Sequence, residues 1–290
     1  MSEYQYYEFL AIDRPLDDRQ QAEVRSLSTR ALITATGLVD EFDLGDFPGD
    51  PNALVERYYD AHLYLANWGT RRVMLRLPRT LLDIDDIEDY LVDDHVGAWT
   101  TDDHLVLDLT SEDESDDQDD QPEETLSAIA GVRTELAVGD LRPLYLAWLA
   151  GYGAWERDED AFDREADDEW EPPVPAGLAT LTASQRALAN FLRLDGDLLA
   201  VAARTSPPLP EITDDPGALA GWATNLPVSE KDRLLARVIL GEAEIVRLEM
   251  LGRFRDEHIA TVPAAPRRTV ADLLDAVARL RAGRVSQPAG

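Results

Sequence analysis

From residue 80 to residue 132 the chain carries nineteen Asp and Glu residues and not one Lys or Arg, and this run divides the rest of the sequence in two. Before it, apolar residues alternate in short runs, the period of strands. After it they recur every three to four residues, the period of helices. Its densest part, residues 111–121 (SEDESDDQDDQ), has no apolar side chain to bury and reads as disordered or loop-like. The expected organisation is a sheet domain over 1–110, an acidic linker over 111–123, a helical domain over 124–260 and a tail with a short helix over 261–290.

The run also limits function. It brings the chain to a net charge of −31, which repels phosphate and excludes nucleic-acid binding by charge neutralisation. At low salt this charge works against compaction. Lys231 is the single lysine beside 26 arginines, which fits a brine-adapted proteome and an Arg-coding, GC-rich genome equally well. The absence of cysteine rules out disulfides, thiolate metal sites and Cys nucleophiles. The N-terminus MSEYQYYEF lacks the basic and apolar parts of a signal peptide, and no apolar run nears the roughly 18 residues of a membrane span. The chain therefore reads as cytoplasmic, with no membrane contact.

In the first part, residues 4–12, 30–36, 38–44 and 70–77 have strand patterning, and 96–99 with 104–109 read as a hairpin. Asp17 predicts a helix N-cap. Asp50-Pro51 predicts a second helix start, with Leu54, Tyr58, Ala61, His62 and Leu65 on one face and an end at Trp68-Gly69. Residues 81–91 read as a short acidic helix. The resulting fold class is α+β: a mixed or antiparallel sheet with helices on one face, a ferredoxin-like sandwich, followed by an all-helical part. Helices are expected over 124–137, 141–155, 184–192, 196–204, 217–225, 230–257 and 270–281, with Thr182 and Gln185 as a capping box.

The segments YQYYEFLAIDRPL (4–16), GDFPGDP (45–51), ERYYDAHLYLANWGTRRVMLRLP (56–78) and LRPLYLAWL (141–149) resemble a family of uncharacterised bacterial proteins whose members occur near genes for SWIM-type zinc-finger proteins. The resemblance covers the first half well and the helical half more loosely. It implies a protein partner, a SWIM-type zinc-finger protein among them, and brings no catalytic residues. The acidic stretches are longer here than in the family pattern.

The candidate site is Asn67, Trp68, Arg71, Arg72, Arg76 and Arg79, the densest basic cluster in an acidic chain. Guanidinium forks pair bidentately with carboxylates and other anions. The bland alternative is pairing with the protein's own carboxylates. The aromatics Tyr4, Tyr6, Tyr7, Phe9, Tyr58 and Tyr59 could line a groove but are more often core. His95 and His104, flanked by Asp93, Asp94, Asp102 and Asp103, would face each other across the hairpin, yet no known metal-ligand spacing is present. There is no Gly-x-Ser-x-Gly elbow, no P-loop and no dinucleotide fingerprint; Gly151-Tyr152-Gly153 lies in a helical context.

The expectation is a non-enzymatic interaction or adaptor protein with a protein partner, no catalytic residue, no metal and no cofactor, its oligomeric state left open. The alternative is a small-ligand-binding domain or enzyme using the arginine surface. An acidic DNA mimic is a weaker third.

Overall fold

The computed structural model describes residues 3–28, 30–43, 45–113, 125–157, 169–210, 216–258 and 267–285. Its centre is a seven-stranded sheet. The strands are β1 (Gln5–Leu10), β2 (Leu32–Ile33), β3 (Gly37–Phe42), β4 (Ala61–Ala66), β5 (Thr70–Pro78), β6 (Val96–Thr100) and β7 (His104–Glu112). They lie in the order β2-β3-β1-β4-β5-β7-β6, and each neighbouring pair is antiparallel. The class is α+β, with the sheet in the N-terminal half and helices filling the C-terminal half.

Alternation along β5 assigns the two faces, because successive side chains of a strand point to opposite sides. Val73, Leu75 and Leu77 belong to the larger core, and Met74 to the smaller. The smaller core is closed by α1 (Asp18–Arg25) and α2 (Pro51–Arg57), through Val24, Leu54 and Val55. Asp17 caps α1 in a full capping box with Gln20, and Asp50 caps α2 with Pro51 in its first turn.

The larger core joins the sheet to the helical half. It gathers α3 (Thr125–Ile129), α4 (Gly131–Ala137), α5 (Arg142–Arg157), α6 (Ala183–Phe191), α7 (Gly196–Thr205) and α11 (Val270–Val285). In α5, Leu144, Tyr145, Leu146, Trp148 and Leu149 are all buried, so this helix is covered on every side rather than along one stripe. Each of its leucines contributes roughly 1.5–3 kcal/mol by leaving water. The remaining helices, α8 (Pro216–Asn225), α9 (Val228–Ile239) and α10 (Ala243–His258), pack less deeply. Only Leu234, Val246, Leu248 and Phe254 of these three are buried.

Several elements differ from the sequence expectation. The helix begun at Asp50 ends at Arg57, and Ala61, His62 and Leu65 lie in strand β4 between β1 and β5. Asn67-Trp68-Gly69 is then a hairpin turn, with Gly69 at φ +102°. Residues 81–91 form two single 3-10 turns, Ile84–Asp86 and Glu88–Tyr90. The helix expected over 124–137 is two, α3 and α4, and that over 230–257 breaks into α9 and α10 at Gly241, whose φ is +96°. Ser111 and Glu112, placed in the acidic linker, complete β7, and Ser111 is buried. The rest of that linker from 114 to 123, with Leu44 and residues 158–168, lies outside the described residues.

Candidate functional site

The basic cluster is split by the sheet. Odd positions of β5 face the helical half, so Arg71 points there: its Nη1 donates to the carbonyl oxygens of Phe191 (3.1 Å) and Asn190 (3.4 Å). Arg72 and Arg76 lie on the other face. Arg72 grips Asp108 with Nε and Nη2, both at 2.7 Å, and reaches Asn52 Oδ1 at 2.9 Å. Arg76 donates to Asp60 Oδ1 from Nη2 (2.7 Å) and to the Glu56 carbonyl from Nη1 (3.0 Å). Arg79 pairs with Asp83 at 3.0 Å. Asn67 Oδ1 accepts from the Tyr4 backbone N–H at 3.0 Å, and Trp68 in the turn is 44% exposed. The carboxylate-pairing arginines thus hold partners supplied by the chain itself.

Arg76 belongs to a buried charge network. Asp60 accepts the backbone N–H groups of Ile12 (2.6 Å) and Asp13 (2.9 Å). Arg133 of α4 lies 3.9 Å from Asp60, binds both oxygens of Asp13 at 2.8 and 2.6 Å, and donates from Nε to the Arg76 carbonyl at 2.6 Å. Burial works against the charge on Asp60. The guanidiniums of Arg133 and Arg76 overcome it and hold the carboxyl below its usual range.

The aromatics divide between core and surface. Tyr6, Tyr7, Phe9 and Tyr59 are buried, while Tyr58 donates its hydroxyl to Glu23 Oε2 at 2.6 Å. His62 is fully enclosed against Phe9, with ring centroids 4.1 Å apart, and burial lowers its pKa to about 3. His95 and His104 do not face each other. His95 precedes β6 at one end of the hairpin and packs against Gly151, whereas His104 opens β7 at the other end and pairs with Pro78. Among the described residues, no group of three or more His, Asp or Glu side chains is placed to hold a metal ion. No helix there is long and apolar enough to cross a membrane.

Two features remain that the sequence reading missed. The first is a cleft of about 790 Å³ between the sheet and the α9–α10 hairpin. Asp13, Arg14, Arg76, Pro78, Asp103 and His104 line it from the sheet side, and Arg233, Arg237, Leu240, Glu242, Ile245 and Glu249 from the helix side. Arg237 is held between Glu242 (2.8 Å) and Glu249 (2.6 Å). Burial first, then Arg76, pulls the His104 pKa below the ordinary imidazole value, so the ring is neutral at pH 7.

The second is the outer face of α9. Val228 is 69% exposed, Leu235 59%, Ile239 76% and the following Leu240 79%. Leu234 is the buried residue of this helix. A signal was present: Leu234-Leu235 and Val238-Ile239-Leu240 are consecutive apolar residues, and at 100° per residue they cannot all share one face. Residues 216–258 also carry six Lys and Arg against seven Asp and Glu, a net −1 within a chain of −31. The exposed apolar face thus lies in a stretch that is close to neutral, unlike the acidic run over 80–132.

No family model matches the chain, and curated proteins and solved structures give no match either.

Proposed function

We propose that this chain is a non-enzymatic protein-interaction protein that holds its partner against the outer face of α9. The observation that carries the reading is the exposure of Val228, Leu235 and Ile239 together on one face of α9. Contiguous apolar surface of this kind marks interaction sites, whereas single exposed apolar residues mean little. Each side chain is worth roughly 1.5–3 kcal/mol on full burial, so the three give a gross gain of about 4.5 kcal/mol or more. Association itself costs about 4–15 kcal/mol, which makes this face an anchor that needs further contacts around it.

The near-neutral charge of residues 216–258 is compatible with the same reading, because an acidic partner can approach there against less repulsion than at the run over 80–132. The first partner class to test is the SWIM-type zinc-finger protein that the family resemblance implies. A photo-cross-linking residue at Ile239 in the native host captures the partner, which is then purified and its affinity measured. Leu235→Glu with Ile239→Glu is expected to weaken that purified pair at least tenfold and leave the melting transition unchanged. Full affinity in the double variant sinks the proposal.

A further inference from the structure

The cleft beside α9 has the size of a ligand site, about 790 Å³ where such sites run from roughly 300 to 1,000 Å³. Its charges are unevenly satisfied. Asp13 is bound at both oxygens by Arg133, and Glu242 and Glu249 are both bound by Arg237. Arg76 is committed to Asp60 and to the Glu56 carbonyl. Two cations are not committed. Arg14, exposed on the loop after β1, has no ion pair among the described residues. Arg233 on α9 is 67% exposed and only 4.0 Å from Glu230, a carboxylate that Arg253 already holds at 2.6 Å.

We propose that the cleft binds a small carboxylic acid with an apolar body. Arg14 from the sheet side and Arg233 from the helix side take the carboxylate, since a guanidinium fork matches it with charge-assisted hydrogen bonds. Pro78, Leu240 and Ile245 supply the apolar wall for the body. Asp103, also in the wall, has no ion pair among the described residues and repels a second acid group. That favours a monoacid over a diacid. The neutral His104 ring adds a polar contact without adding charge. At about 0.15 M salt the Debye length is roughly 8 Å, so the charges inside the cleft outweigh the distant acidic surface.

Isothermal titration of the full chain with octanoate at physiological ionic strength tests this, with octan-1-ol as the uncharged control. One saturable site for octanoate is expected, with octan-1-ol at least tenfold weaker. Arg14→Gln and Arg233→Gln each lose about tenfold in affinity, the scale of one charge-assisted hydrogen bond. Arg19→Gln, an exposed arginine outside the cleft, changes nothing. Leu235→Glu with Ile239→Glu, which disables the proposed docking face, keeps octanoate binding, so the two readings fail separately. No saturable octanoate binding overturns the site. So does equal binding of octan-1-ol, or undiminished binding in both arginine variants whose melting transitions match the parent chain.

Discussion

Arg133 on α4 clasps both oxygens of Asp13, at 2.8 and 2.6 Å, across 120 residues of sequence. This pair ties the helical half to the loop after β1, and through Asp60 and Arg76 it continues into the sheet. Arg133 is itself buried. Removing one partner of a buried pair strands the other charge and costs about 3–5 kcal/mol. Arg133→Met is therefore expected to lower the unfolding free energy by that amount in urea at pH 7. A loss under about 1 kcal/mol would mean water already screens this pair.

His62 gives the protein a specific acid sensitivity. Its pKa moves from 6.5 to about 3 because the ring is buried. Above pH 6.5 neither the folded nor the unfolded state binds this proton. As the pH falls, the unfolded state takes it up first, so stability is lost progressively between pH 6.5 and about 3. Asp60 acts lower, since its folded pKa lies below the ordinary carboxylate value and its stabilisation is lost only on further acidification. The difference in unfolding free energy between the parent chain and His62→Leu is expected to shrink by about 2 kcal/mol from pH 7.5 to pH 5. A difference independent of pH would mean that the ring is solvated.

The division at residues 111–123 is open to a direct experiment. Leu63, Leu75, Leu105, Leu107 and Leu109 of the sheet belong to the same core as Leu126, Val132, Leu144 and Leu149 of the helices. Residues 1–113 expressed alone would present that sheet face to water, far beyond the few hundred Å² that soluble monomers usually expose. The fragment is expected to aggregate or to melt without cooperativity, and co-expression with residues 114–290 to restore solubility. A soluble fragment with a cooperative transition would instead make residues 1–110 an independent domain.

What the sequence made legible follows from the range of each determinant. Caps are local, so Asp17, Asp50 and Thr182 could be read from their own neighbourhoods, and each accepts the backbone N–H expected of it. Strand β4 was lost to a helix because Ala61, His62 and Leu65 also satisfy helical spacing. A central strand with both faces covered is apolar on both sides, which removes the alternation that would have identified it. The arginines were found but not their partners. Asp108 lies 36 residues from Arg72, a separation that no local spacing rule covers, and only the β5–β7 register brings the two together. For the α9 face the sequence held only a partial signal, the consecutive apolar residues Leu234-Leu235 and Val238-Ile239-Leu240. An amphipathic helix shows which residues are apolar, and only the packing shows which of them stay uncovered.

Gly151 illustrates a constraint that reads as a motif and is a contact. A Cβ added there would lie 3.0 Å from His95 Cβ and 3.2 Å from its Cγ, where α5 approaches the start of β6. Glycine in a helix interior costs about 1 kcal/mol relative to alanine, so Gly151→Ala gains propensity while pressing on His95 by a few tenths of an ångström. The two effects nearly cancel, and a change within about 1 kcal/mol is expected. Gly151→Leu has no such compensation. Its side chain must displace His95, whose Nδ1 lies 3.3 Å from the Thr110 carbonyl, and overpacking of this kind costs about 1–3 kcal/mol or more. Urea unfolding of both variants gives the ordering. If Gly151→Leu is as stable as Gly151→Ala, α5 does not sit this close to the sheet, and the glycine serves some purpose other than close approach.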